Sequence, residues 1–360
     1  MSEIKTDLLS LELHELEAFM TDLGEPRYRA KQLFSAMHKG LSLDEITNIS
    51  KATKETLSSC AFYTFPTIER KLVSALDGTV KYLFRLADGN CVESVIMRYE
   101  HGITICISSQ VGCRMGCRFC ASTIDGKVRD LVPSELLGQI IAASRDLGER
   151  ISNIVMMGIG EPLDNYDNVL KFLRLVGHPD GLNIGYRHIS LSTCGIVPKI
   201  RALAEEALPI TLSISLHAAD DDTRSSIMPV NKKWSVDELL DACRDYYKKT
   251  GRRISFEYTL IAGKNDSPEA AKRLASVLNG KLRSGRDSMP IHVNLIPVNE
   301  VKERDFVRSG KKAVALFAAT LEKQGIRATV RRKLGSDINA SCGQLRRETA
   351  QQTNQERERP

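Results

Sequence analysis

Residues 103–120 read ITICISSQVGCRMGCRFC, a β-branched run that leads into three cysteines, Cys113, Cys117 and Cys120. The run has the composition of a strand, and the cysteines follow in the loop beyond its end, with three residues in the first gap and two in the second. A tetrahedral zinc site takes four ligands and a disulfide takes two. A cube of four irons and four sulfides also normally takes four thiolates. Three cysteines would leave one corner of such a cube open, or would leave a zinc ion to find its last ligand far away in the chain.

Outward from that loop, the hydrophobic period alternates from residue 102 to about residue 331. ITICIS is followed by the cysteine loop and a helix, SELLGQIIAASRDLG, with Ser134 as the expected N-cap and Gly148 just past its end. The pairs that follow are NIVMMGIG with NYDNVLKFLRLVG, HISLST with VPKIRALAEEA, and ITLSISLH with SVDELLDACRDYYKKTG. RISFEYTLIAG with SPEAAKRLASVLNG and IHVNLIPV with KKAVALFAATLEKQG complete the series. Six strand–helix units in a row predict an α/β fold with a parallel sheet and outer helices, a partial (β/α)6 TIM-like barrel. Chemistry in such a fold gathers at the C-terminal ends of the strands.

Upstream, residues 67–108 read as four strands in series, punctuated by DGT, DGN and HG turns. Residues 1–62 read as helices, with apolar residues at three- and four-residue intervals and stops at Gly24 and Gly40. The expected organisation is therefore a helical accessory domain over 1–62, a β connecting segment over 63–101, the partial barrel over 102–331 and a C-terminal extension over 332–347. The polar tail 348–360 has no periodicity and is expected to be disordered.

The composition is that of a soluble globular protein: 360 residues, 42% hydrophobic and 27% charged. There is no apolar run long enough to span a membrane, and the N-terminus lacks the order of a signal peptide. Nine cysteines, an odd number, argue against a disulfide framework and for a reducing, cytoplasmic setting. The formal charge is +6, with basic clusters at Arg331, Arg332 and Lys333, at Lys281, Arg283 and Arg286, and at Arg252 and Arg253. Such groups bind phosphate backbones, although solvated charged faces have the same composition.

The spacing of the three cysteines, with Phe119 before the last, resembles the radical S-adenosylmethionine superfamily. There, three thiolates hold a [4Fe–4S] cluster, and the methionyl amine and carboxylate of the cofactor chelate the open iron. MMGIGEPL (156–163) ends the second strand, and the resemblance implies that Gly160 and Glu161 meet the methionine amine. Ser192, then Ser215, Leu216 and His217, and finally Asn299 end later strands, where they are expected to contact the rest of the cofactor. Alone, a Ser or Asn ending a strand is more often a turn former.

A closer resemblance covers almost the whole chain. SSQVGCRMGCRFC, GIGEPL, SLSTCGIVP, SLHA, IMPVN, NLIPVN and DINASCGQL, in that order, resemble the RlmN family of ribosomal and transfer RNA adenine-C2 methyltransferases. Two departures, Ile159 in the glycine loop and Ser341 before the last cysteine, remove no reacting group. The resemblance implies that Cys342 takes a methyl group from one S-adenosylmethionine and that a second is cleaved at the cluster, two per turnover. The methyl, made a radical, then adds to C2 of an adenine in 23S rRNA or tRNA. It also implies that Glu93 takes the ring proton, and that Cys106 attacks the Cys342 sulfur, frees the product and leaves a transient disulfide. An electron donor such as flavodoxin and a monomeric chain are the expected company.

Without the resemblance, a cysteine on a strand, like Cys106, reads as a small core residue. Glu93 lies in an apolar strand, where an unpaired carboxylate would be costly, and this favours a proton-transfer role. Two alternatives stay open: a related C8-methylating resistance enzyme, which has alanine where this chain has Pro162, and a non-catalytic iron–sulfur RNA-binding protein.

Overall fold

The computed structural model describes residues 5–283, 288–301, 303–340, 343 and 345–347. Cys342, Ser341, Arg286 and the tail 348–360, all singled out from the sequence, lie outside the described residues.

The N-terminal part opens with a short strand, β1 (Thr6–Asp7), and continues through α1 (Leu13–Asp22), α2 (Tyr28–His38) and α3 (Lys51–Cys60) to β2 (Ala61–Phe62), which pairs with β1 in parallel. Leu16, Met20, Leu33, Phe34 and Met37 recur at helical spacing and are fully buried. Four strands follow: β3 (Thr67–Val73), β4 (Val80–Arg85), β5 (Cys91–Tyr99) and β6 (Gly102–Cys106), an antiparallel meander as the turn signals predict. A small hairpin, β7 (Gln110–Gly112) with β8 (Lys127–Asp130), brackets the cysteine loop.

From there strands and helices alternate: α4 (Pro133–Leu147), β9 (Asn153–Met156), α5 (Tyr166–Gly177), β10 (Ile189–Thr193), α6 (Val197–Glu205), β11 (Thr211–Ser215), α7 (Asp221–Ile227) and α8 (Val236–Thr250). The series closes with β12 (Ile254–Leu260), α9 (Pro268–Leu282), β13 (Ile291–Pro297), α10 (Lys311–Lys323) and β14 (Arg327–Val330). Ten strands form one sheet in the order β14-β13-β12-β11-β10-β9-β6-β5-β4-β3. It is parallel from β6 to β14 and antiparallel from β6 back to β3, so β6 belongs to both the meander and the barrel.

Two expectations need correction. The parallel part has a seventh strand, β14, which four residues without a following helix do not signal in the sequence. Ser134 does not cap α4; Val132 occupies the cap with Pro133 in the first turn, and the Ser134 hydroxyl donates to Asp7 Oδ2 at 2.5 Å. That bond, with Lys171–Glu15 at 2.7 Å and Lys31–Asp180 at 3.0 Å, ties the N-terminal part to α4, to α5 and to the turn after α5. Gly148 ends α4 as expected, in the left-handed conformation at φ 66°.

Candidate active site

The cysteine loop leaves the sheet at the C-terminal end of β6 and is pinned at several points. Cys113 N–H donates to Gly126 O at 2.9 Å, and Arg118 N–H donates to Ile227 O at 2.9 Å. Thr123 Oγ1 donates to the carbonyls of Cys117 and Cys120. Asp164 then binds the loop to the glycine loop after β9, accepting from Arg114, Lys127 Nζ (3.0 Å) and Gln110 Nε2 (2.9 Å). The thiols of Cys113, Cys117 and Cys120 are thus presented, with Phe119, on the wall of a cavity of about 220 Å3.

The other strand ends supply the remaining walls. Gly160, Glu161, Ser192, Ser215 and His217 all line this cavity, as expected from the sequence. Leu216 is buried in the core, and its backbone carbonyl accepts from Arg224 Nε. Asn299 lines a neighbouring cavity instead. Gly160 has φ 111°, and a Cβ there would sit 2.7 Å from Gln110 N and Cβ, so the glycine is required by the chain's own close approach. The Glu161 carboxylate is buried and accepts from Cys194 N–H (2.7 Å) and Leu163 N–H (3.0 Å), while burial raises its pKa. His217 packs edge-on against Phe119, with ring centroids 4.8 Å apart. Its Nδ1 accepts from Thr259 N–H, and burial lowers its pKa to about 3, so the imidazole is neutral.

These residues fit an iron–sulfur cluster. Burial raises the Cys113 thiol to about 12 and the Cys117 thiol well above its ordinary value, with the neighbouring cysteines acting in the same direction. Thiols so placed stay protonated unless a cationic group displaces the protons, which is the chemistry of metal binding. Among the described residues no three His, Cys, Asp or Glu side chains converge on a single ion. Thiolates at separate corners of a cube need no such convergence.

Arg224 belongs to the site without standing in any of the motifs singled out above. It is fully buried, and its guanidinium donates to Leu216 O, Ser215 O, Cys194 O and Asn231 Oδ1, fastening the ends of β10 and β11. Its only sequence signal is its place three residues ahead of the IMPVN motif.

A second cavity, of about 250 Å3, adjoins the first through the shared walls Met157, Ile296 and Arg331. Cys106 lines it, with Val95, Met97 and Tyr99 from β5. Val95 lies opposite Cys106 in the ladder, and Glu93, two residues along, shares its face. Glu93 is completely buried and lines neither cavity. Nor is it unpaired, as its apolar strand suggested: Lys81 Nζ lies 3.0 Å from Oε2, and Lys81 is itself 1% exposed. The carboxylate also accepts from Gly343 N–H at 2.8 Å and Arg346 N–H at 2.7 Å. It therefore grips the segment that directly follows Cys342 in the sequence. No disulfide joins two of the described cysteines.

Comparison with known proteins agrees with this geometry. Residues 107–275 match the family described as the radical SAM superfamily, and residues 6–62 match the ribosomal RNA large subunit methyltransferase N-terminal domain. The chain is 52% identical to a probable dual-specificity RNA methyltransferase RlmN of Clostridium novyi, over 95% of this chain and 98% of the relative. It is 54% identical to the protein of that name from Lachnospira eligens, over 95% and 96%. The crystal structure of a radical SAM methyltransferase from Sphaerobacter thermophilus superposes with a TM-score of 0.88 at 41% identity, covering 94% of this chain and 98% of that one.

Proposed function

The chain belongs to the RlmN family of radical S-adenosylmethionine RNA methyltransferases, and on that footing we propose that it methylates C2 of an adenine in 23S rRNA and in tRNA. The observation that carries this reading is the pair of adjoining cavities, one walled by the cysteine triplet and the other by Cys106. Pro162 after Glu161 favours the C2 enzyme over its C8-methylating relative.

When bound by Cys113, Cys117 and Cys120, the [4Fe–4S] cluster would supply the electron that cleaves S-adenosylmethionine reductively. The chain's own residues do the rest. Gly160, Glu161, Ser192, Ser215 and His217 hold the cofactor; Leu216 acts through its backbone, and Asn299 reaches it from the neighbouring wall. Cys342 is the methyl carrier, since a thiolate is strongly nucleophilic towards a sulfonium methyl and an electron-poor ring carbon is not. One S-adenosylmethionine loads it and a second is consumed in activating the methyl.

Glu93 is the base for the C2 proton. A carboxylate offers about four lone-pair positions. Among the described residues Lys81, Gly343 and Arg346 fill three of them. Cys106 then attacks the Cys342 sulfur, which releases the methylated RNA and leaves a disulfide for an electron donor such as flavodoxin to reduce. Residues 1–62 form the RNA-contacting domain, the chain acts as a monomer, and its substrates place it in the cytoplasm. Among the described residues no helix is long and apolar enough to cross a membrane.

Mass spectrometry of rRNA and tRNA from a strain lacking the gene tests this. 2-Methyladenosine should disappear and return with the wild-type gene but not with Cys342→Ala. Persistence of the modified base in the deletion strain would refute the assignment.

A further inference from the structure

The SSQ stretch, residues 108–110, leads into the cysteine loop and lines neither cavity, yet all three of its residues are buried. Ser108 lies where β5, α4 and the glycine loop meet. The β5–β6 ladder ends at Val95 and Cys106, although two residues further along Glu93 would stand opposite Ser108. There β6 turns away from β5 to follow β9: Ile107 N–H donates to Val155 O, and Gly158 N–H donates to Ile107 O. A strand that leaves its neighbour strips backbone groups of their partners, and buried groups need replacements. Gln139 of α4, itself 0% exposed, supplies them as a strand would. Its Oε1 accepts from Ser108 N–H at 2.9 Å, and its Nε2 donates to Ser108 O at 3.0 Å.

The Ser108 hydroxyl joins two further elements. It donates to Glu93 O at 2.7 Å and accepts from Ile159 N–H at 3.1 Å. One oxygen atom therefore links the backbone of Glu93 to the residue that precedes Gly160 in the glycine loop. The loop has no slack at this point. Ile159 O accepts from Ser109 N–H at 2.8 Å, and Glu161 N–H donates to Gln110 Oε1 at 2.9 Å. A Cβ on Gly158 would lie 2.5 Å from Ile107 O and 2.8 Å from Ser108 N. Interiors packed this closely transmit a displacement instead of absorbing it.

We propose that Ser108 is a positioning residue that holds Glu93 at a fixed spacing from the cofactor loop, acting through the Glu93 carbonyl and the Ile159 amide. The proposal rests on the reading of Glu93 as the base for the C2 proton and of Gly160 and Glu161 as cofactor contacts. Proton transfer needs donor and acceptor within hydrogen-bond reach, and a misplacement of about 1 Å can cost about a hundredfold in rate. Without the hydroxyl, Glu93 O loses a donor and Ile159 N–H loses its acceptor, both in a dry interior, so the base and the loop relax independently.

The test follows methylation, by the anaerobically reconstituted full chain, of an RNA hairpin whose loop adenine carries hydrogen or deuterium at C2. S-adenosylmethionine affinity by equilibrium dialysis gives a readout apart from turnover. Ser108→Ala should slow proton removal about tenfold to a hundredfold, which raises the primary isotope effect above that of wild type. It should also weaken cofactor binding about tenfold. Ser108→Cys keeps the shape of the side chain with a poorer donor; it should fall in between, and it is measured in place of Ser108→Ala if that variant does not fold. Ser94→Ala removes another buried hydrogen bond, from Ser94 Oγ to Gln139 Oε1 at 2.9 Å, one residue from Glu93. It should lose stability and keep the wild-type isotope effect and affinity. An unchanged isotope effect in Ser108→Ala, even with weakened binding, overturns the proposal, as does an equal rise in Ser94→Ala. A wild-type protein that leaves the C2 hydrogen of the hairpin in place would instead overturn the RNA reading on which the proposal rests.

Discussion

Replacing Lys81 by Met removes the cation that faces Glu93 while keeping the length of the side chain. The pair is 1% and 0% exposed, so water cannot take the place of the lost ammonium. Breaking a buried pair by removing one partner costs about 3–5 kcal/mol, because the remaining charge is left uncompensated. The loss falls on the segment that Glu93 grips through Gly343 N–H and Arg346 N–H, and on Asn339, whose carbonyl accepts from Lys81 Nζ at 3.0 Å. Hydrogen exchange at the Gly343 and Arg346 amides should therefore accelerate roughly a hundredfold to several thousandfold. Glu93→Gln should also loosen the segment, because Lys81 loses its carboxylate partner. The double variant Lys81→Met/Glu93→Gln carries neither charge and should lose less than the two single variants together. Strict additivity of the three, or wild-type exchange at Gly343 and Arg346 in Lys81→Met, would show that the pair does not hold the C-terminal extension.

Three further outcomes are expected. Anaerobically reconstituted protein should bind about four irons per chain, and Cys113→Ala should lose them, as read by iron analysis and visible absorption; a stoichiometric zinc content in colourless protein would contradict this. Cys106→Ala should form the protein–RNA adduct and accumulate it, seen as a band shift on a denaturing gel; rapid product release would remove Cys106 from its role. His38 is buried neutral with its pKa lowered to about 4. Its folded pKa lies below the unfolded value, so the unfolded chain binds the extra proton, and stability is lost as pH falls from about 6.5 to 4 by about 1.4 kcal/mol per unit. Denaturant melts of wild type and His38→Gln across that range should differ in slope; equal slopes would refute it.

Much of the fold is legible because its signals are local. The alternation of strand and helix between residues 102 and 331 gives the parallel sheet, and the DG and HG turns give the meander. The cysteine triplet and the glycine loop are legible for the same reason: each motif is short, and both fall at strand ends where the topology gathers them around one cavity. Ser134 misleads because the cap depends on Pro133 and on Asp7, a residue far away in sequence. β14 escapes notice because a short final strand is defined by its ladder with β13.

Spacing and composition alone determined that this chain carries an incomplete barrel with three thiols at the mouth of its first strand. Only the folded molecule decided that Glu93 meets Lys81 across β4 and β5 and takes hold of Gly343, 250 residues away. Only it set Cys106 in a cavity that shares a wall with the cofactor site and is ringed by cations. The physical reason is that a motif depends on neighbours along the chain, whereas a buried ion pair or a cavity wall depends on strand register, which many distant contacts fix together.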